Sequence, residues 1–204
     1  MALAPQFAGH RWGSITAPHV LEAYLDYVCP FSCRMFKTLR KEVLPYIEQK
    51  YSGKIQFIFR HQIQPWHPSS TLVHEAGLAV EKIDQKKFYD FSDKLFEAQK
   101  DYFDESVQLV NREQVYQSLA KLAGSVGISS DQFLSLLNIK AVDSNIKATN
   151  HGNQLTPDLK WHIKLGRQNG IHVSPTVLWD GIIDDISSDW TLEQWEKWLA
   201  KKLN

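Results

Sequence analysis

Two cysteines, Cys29 and Cys33, stand four positions apart in the stretch LDYVCPFSCRMF, directly after a run with β-strand character, and the chain has no other. A helix start exposes unpaired backbone N–H groups and a partial positive charge. A thiol placed there is favoured as thiolate, the form that attacks disulfides and electrophiles. Cys29 is therefore the candidate nucleophile, and Pro30 suits the first helical turn. Cys33 lies one turn further on. Cα atoms at i and i+4 of a helix are about 6 Å apart, towards the upper end of what a disulfide tolerates. Such a bridge needs local distortion, which makes it easier to reduce.

Fewer groups elsewhere offer chemistry. Asp26 closes the first strand run and could relay a proton to a cysteine, though an acid there more commonly caps a neighbouring amide or is solvated. The loop QPWHPSS leaves the second strand with Trp66, suited to shaping a peptide groove, and His67, whose simplest role is structural. Loops at that end of an α/β sheet commonly line a site. The histidines are scattered and form no tetrahedral ligand set with two cysteines, so no metal is expected. There is no Gly-rich phosphate loop, no GxSxG elbow and no HExxH pair.

The elements that must position these residues follow from periodicity. HVLEAYLDYV (His19–Val28) reads as a buried strand, and the segment from Cys33 onward places Phe36, Leu39, Val43 and Ile47 at helical spacing, with a kink expected at Pro45. KIQFIFRHQI (Lys54–Ile63) puts Ile55, Phe57 and Phe59 on one face of a second strand. From Ser69 to about Gln168 the pattern is helical: Leu72, Ala76, Val80 and Ile83 form one stripe, Asn111 and Gln114 a capping box, and Thr156–Pro157 an N-cap with N1. Strand character returns in IHVSPTVLWDGII, where Asp180–Gly181 predicts a type I′ hairpin. A final helix opens with Thr191 and Gln194 as a capping box, and Trp190 stapled to Trp195. The chain thus reads β-α-β, a helical block, then β-β-α: one sheet interrupted by an inserted helical subdomain.

Composition sets the class. With 43% hydrophobic and 23% charged residues, the chain can bury a full core. Lys+Arg and Asp+Glu balance at 23 each, so no broad attraction to nucleic acid or an anionic membrane is expected. No apolar run approaches the ~18 residues of a membrane span. The start, MALAPQFAGHRWG, lacks the charged and apolar regions of a secretory signal, so a cytoplasmic setting is expected. Two cysteines in a reducing compartment are more commonly catalytic or redox-sensing than a structural staple.

DYVCPFS after a strand, the long helical insertion, and NGIHVSPTVLWDG near the end resemble the DsbA-like branch of the thioredoxin-fold family, over roughly Leu21 to the C-terminus. The resemblance implies an α/β thioredoxin-like fold made of residues 1–68 and 169–204, with 69–168 as the inserted all-helical subdomain. It also implies a Cys-X-X-Cys opening the first helix and, facing it, a cis-proline loop that holds a substrate chain. Cys29 matches the nucleophile, and Ser174–Pro175 matches the cis-proline dipeptide. Pro30, Phe31, Ser32, Trp66, Ser174 and Pro175 then become the substrate-binding set. The second cysteine of the family would fall at Ser32, so Cys33 is one residue late.

Three arrangements follow: a Cys-X-X-X-Cys pair that still cycles, a one-thiol site with Ser32 beside Cys29, or an inactive relic. The leading expectation is a thiol-disulfide oxidoreductase with Cys29 attacking and Cys33 resolving, acting on protein or small-molecule thiols and disulfides. No cofactor is expected beyond glutathione as a co-substrate. A glutathione-dependent transferase or isomerase using Ser32 is one alternative. A non-catalytic module with a peptide groove across Trp66 and Pro175 is the other. Oligomeric state stays open.

Overall fold

Five strands form one mixed sheet in the computed structural model, which describes residues 3–139 and 150–203. They are β1 (Arg11–Trp12), β2 (His19–Leu25), β3 (Ile55–His61), β4 (Thr176–Trp179) and β5 (Ile182–Asp184), in the order β1-β3-β2-β4-β5. β2 and β3 run parallel, with Leu25 opposite His61, while β4 pairs antiparallel with β2 and with β5. β1, a short antiparallel edge on β3, had no signature in the sequence. Every residue of β3 is buried. That requires apolar side chains on both faces or a paired charge. Arg60 Nε donates to Glu22 Oε2 at 2.6 Å in a fully buried ion pair, while its two terminal nitrogens have no hydrogen-bond partner among the described residues.

Helix α1 (Pro30–Thr38) and helix α2 (Leu44–Tyr51) cross from β2 to β3. Between them Leu39–Val43 widens into a π-turn, closed by Leu44 N–H to Leu39 O. Pro45 accounts for it. Proline has no N–H to give, and its ring would strike the carbonyl four residues back in a regular helix. The expected kink is thus a widened turn.

Between β3 and β4 lie α3 (Ser70–Ile83), α4 (Phe88–Glu97), α5 (Asp104–Val107), α6 (Arg112–Gly124), α7 (Ser130–Leu137) and α8 (Thr156–Gln168). Residues 140–149 of the expected helical stretch fall outside the described residues. Asn111 and Gln114 form the full reciprocal capping box of α6. Two expected caps differ. α8 begins at Thr156 with Leu155 as its N-cap, because the Thr156 hydroxyl accepts from Asn153 N and holds the turn before the helix instead. At the last helix, α9 (Leu192–Leu203), Gln194 Oε1 accepts from Thr191 N–H, but Gln194 N–H donates to the Thr191 backbone O rather than to its side chain.

Asp180 and Gly181 have φ of 50° and 85°, the left-handed pair that a type I′ hairpin needs. α9 returns over the sheet with Trp195, Trp198 and Leu199 buried, Trp198 edge-on to Trp179 of β4 at 5.2 Å.

The N-terminal turn Pro5–His10 packs against α3, α4 and β3. Gly9 permits this approach: a Cβ there would lie 2.3 Å from Gln85 O and 2.4 Å from Glu81 Oε2. Gly9→Ala is expected to destabilise the fold by about 2 kcal/mol, the usual scale of overpacking. A urea titration reads this directly.

Candidate active site

β2 ends at Leu25, three residues before the apolar run does. The cause is Asp26. Its Oδ1 accepts Val28 N–H at 2.9 Å and its backbone O accepts Cys29 N–H at 3.1 Å, folding Asp26–Cys29 into a turn that delivers Cys29 as the N-cap of α1. The first intrahelical bond is Cys33 N–H to Cys29 O. Pro30 has no N–H, so the amides of Phe31 and Ser32 lie ahead of that bond, at the positive end of the helix. The Cys29 thiol donates to Ser174 O at 3.4 Å, and the Ser174–Pro175 peptide is cis.

Asp26 also anchors the facing loop. Its Oδ2 accepts Gln64 N–H and Ser70 Oγ–H, both at 2.8 Å, and Gln64 Nε2 in turn donates to Ser174 Oγ at 3.1 Å. Gln99 Nε2 donates to both Tyr27 O and Cys29 O. Burial alone would push the Asp26 carboxyl up. His74 and the two backbone amides outweigh it and hold the group below the usual carboxylate value. The expected solvated or amide-capping acid is therefore the second of these, and fully buried.

The candidate residues divide into two sets. Cys29 is 7% exposed, and around its loops Phe31, Trp66 and Val173 are 54%, 60% and 57% exposed. Cys33 turns the other way. It sits in the main hydrophobic cluster, and its thiol donates to Phe96 O of α4 at 3.4 Å. Ser32 is fully buried, its hydroxyl accepting Asp26 N–H at 3.2 Å. Ser32, expected to touch substrate, instead buttresses the turn, a correction to the sequence reading. Cys33, the possible resolving thiol, has its sulfur on the Phe96 carbonyl of α4 while that of Cys29 is on Ser174. His67 pairs with Asp104 of α5 at 2.9 Å, which gives it the structural role expected.

Sequence reasoning missed a group of buried histidines. His61 Nδ1 meets His74 Nδ1 at 2.5 Å, and His61 Nε2 meets His10 Nε2 at 3.1 Å. His162 of α8 completes the group, its ring centroid 4.8 Å from that of His61. At the other end, His74 Nε2 lies 3.5 Å from Asp26 Oδ1 and 3.4 Å from Tyr27 N. Burial, then the neighbouring histidines (with Arg60 also acting on His10), pushes His10 and His61 well below the ordinary imidazole value; burial, then Arg60 and His74, takes His162 to about 3. These three imidazoles are neutral at pH 7. His10 Nδ1 and His162 Nε2 have no partner, an arrangement that costs about 1–3 kcal/mol for each unpaired buried polar atom.

A family model described as Thioredoxin matches residues 7–201. No curated protein matches the chain. Solved structures do. A Pseudomonas syringae protein described as a candidate protein-disulfide isomerase is 21% identical, with a TM-score of 0.72, covering 94% of this chain and 98% of its own. Oxidised BdbD from Bacillus subtilis is 22% identical with a TM-score of 0.65, over 95% and 92% of the two chains. The thiol-disulfide exchange protein alpha-DsbA2 from Wolbachia pipientis is 17% identical with a TM-score of 0.64, over 94% and 86%. The expected DsbA-like α/β architecture is the one found.

Proposed function

The chain belongs to the thioredoxin family, and from that membership and the placement of Cys29 we propose that it is a thiol-disulfide oxidoreductase working through a single thiol. The observation that carries the reading is Cys29 at the N-cap of α1 with its sulfur on the Ser174 carbonyl. Cys29 thiolate attacks a disulfide R–S–S–R′, forming Cys29–S–S–R and releasing R′S⁻. A thiolate from solution, glutathione or a protein thiol, then attacks the mixed disulfide and returns Cys29 as thiolate. Electrons balance, and no second cysteine of the chain is needed.

Phe31, Trp66 and Val173 give the incoming chain an apolar collar, and the Ser174–Pro175 backbone and Pro30 border the sulfur. Cys33 is left as packing. The Ser32-based transferase reading loses support because that hydroxyl already serves the Asp26 amide inside the fold.

Incubation with oxidised glutathione, read by intact mass, tests the proposal. One adduct is expected on the wild type and on Cys33→Ser at rates within a few-fold, and none on Cys29→Ser. An internal Cys29–Cys33 disulfide forming in place of the adduct would overturn the single-thiol step. Failure of Cys29 to form any adduct would overturn the enzymatic reading.

A further inference from the structure

The histidine group serves none of the chemistry assigned to Cys29. His10, His61 and His162 come from the N-terminal turn, β3 and α8, and one ring nitrogen of each lies within 4.8 Å of the other two. Their planes stand at 72–83° to one another, so the rings converge edge-on and do not stack. His10 Nε2 and His61 Nε2 face each other at 3.1 Å. Two nitrogens on one tetrahedral zinc, each about 2.0–2.1 Å from it, stand ~3.3 Å apart, so this pair is already close to a coordinating separation. His162 Nε2, buried without a partner, has to close the remaining gap.

We propose that His10, His61 and His162 bind one divalent transition-metal ion of the zinc class inside the fold, separately from Cys29. The surroundings support the assignment. A histidine ligand characteristically donates its other ring N–H to an outer partner that fixes its tautomer. If His61 binds through Nε2, its Nδ1–H points at His74 Nδ1, 2.5 Å away. His74 then carries its proton on Nε2, where the Asp26 carboxylate at 3.5 Å receives it and the Tyr27 N contact is given up. That makes a carboxylate–histidine–histidine–metal series, with negative charge at its end. Phe7, Phe59 and Phe88 pack against the His10 ring and hold it in place. The positive Arg60 nearby is paired with Glu22. Imidazole ligands suit zinc, cobalt, nickel and copper rather than calcium or magnesium. Three protein ligands leave the fourth position to water or a small anion.

The test uses the full chain without a histidine tag, loaded with zinc or cobalt(II). One retained equivalent is expected, with a rise in melting temperature. The cobalt form should show visible ligand-field bands and no thiolate charge-transfer band. His162→Gln should weaken zinc binding at least tenfold, while exposed His172→Gln and the double variant Cys29→Ser, Cys33→Ser should leave it unchanged. No retained equivalent on the folded wild type would overturn the proposal. So would a thiolate band on cobalt, or full binding by His162→Gln. The cobalt spectrum of the wild type tells nitrogen from thiolate ligation even if a histidine variant fails to fold.

Discussion

Asp26→Ala should destabilise the protein by roughly 3–5 kcal/mol in urea unfolding at pH 7, the scale for removing one charged partner from a buried network. The carboxylate holds Val28 N, Gln64 N and Ser70 Oγ, all buried donors, and alanine leaves each unpaired. A domain with a total stability of 5–15 kcal/mol would stand near its margin. The effect reaches the sulfur. Asp26 shapes the turn that places Cys29 and, through Gln64, the Ser174 side chain of the facing loop. Glutathione adduct formation at Cys29 should therefore slow well beyond the few-fold change expected of Cys33→Ser.

Asp26→Asn separates charge from shape. The amide keeps an oxygen for one set of donors but turns its NH2 toward the other, so an intermediate loss is expected. Because the folded carboxyl is held below its ordinary value, its contribution is present above the unfolded value near 3.8. It fades as pH falls through the lower folded value. Asp26→Asn should lack that acid limb. A stability of Asp26→Ala within 1 kcal/mol of wild type would refute the network's role.

How much of this was legible in the sequence depends on the range over which each feature is determined. The β-α-β start, the Asp180–Gly181 hairpin and the Asn111–Gln114 box are set by residues next to one another, and all are found. The direction of Cys33 was also readable in principle. It stands three residues before Phe36 and so extends the stripe Phe36, Leu39, Val43, which the core buries. The histidine group was not readable. Residues 10, 61 and 162 meet only because β3 lies between the N-terminal turn and α8, and no local pattern encodes that juxtaposition. Asp26 falls between these cases: its position at the strand end is local, but its four partners come from the turn, the β3 exit loop and α3.

Glu81→Gln should make the protein more stable than wild type above neutral pH while changing little in mild acid. Glu81 is buried on α3. Its Oε1 accepts Gly9 N–H at 2.8 Å, and its Oε2 has no partner. Burial pushes the carboxyl up to about 8, against 4.5 for an unperturbed glutamate. A carboxyl raised on folding contributes fully when protonated in both states, below about 4.5. Its contribution is lost as pH climbs through the folded value, because the unfolded chain releases the proton more readily. At 1.36 kcal/mol per pKa unit the loss reaches up to about 5 kcal/mol by pH 8.5, as an order of magnitude. Glutamine mimics the neutral acid at every pH: its carbonyl takes the Gly9 N–H, and its NH2 replaces the acid O–H. Urea midpoints at pH 5 and pH 8.5 decide the matter. The wild type should fall between them by an amount that Glu81→Gln does not share, and equal slopes in the two proteins would place the carboxylate in a solvated setting that the packing of Gly9 against Glu81 contradicts.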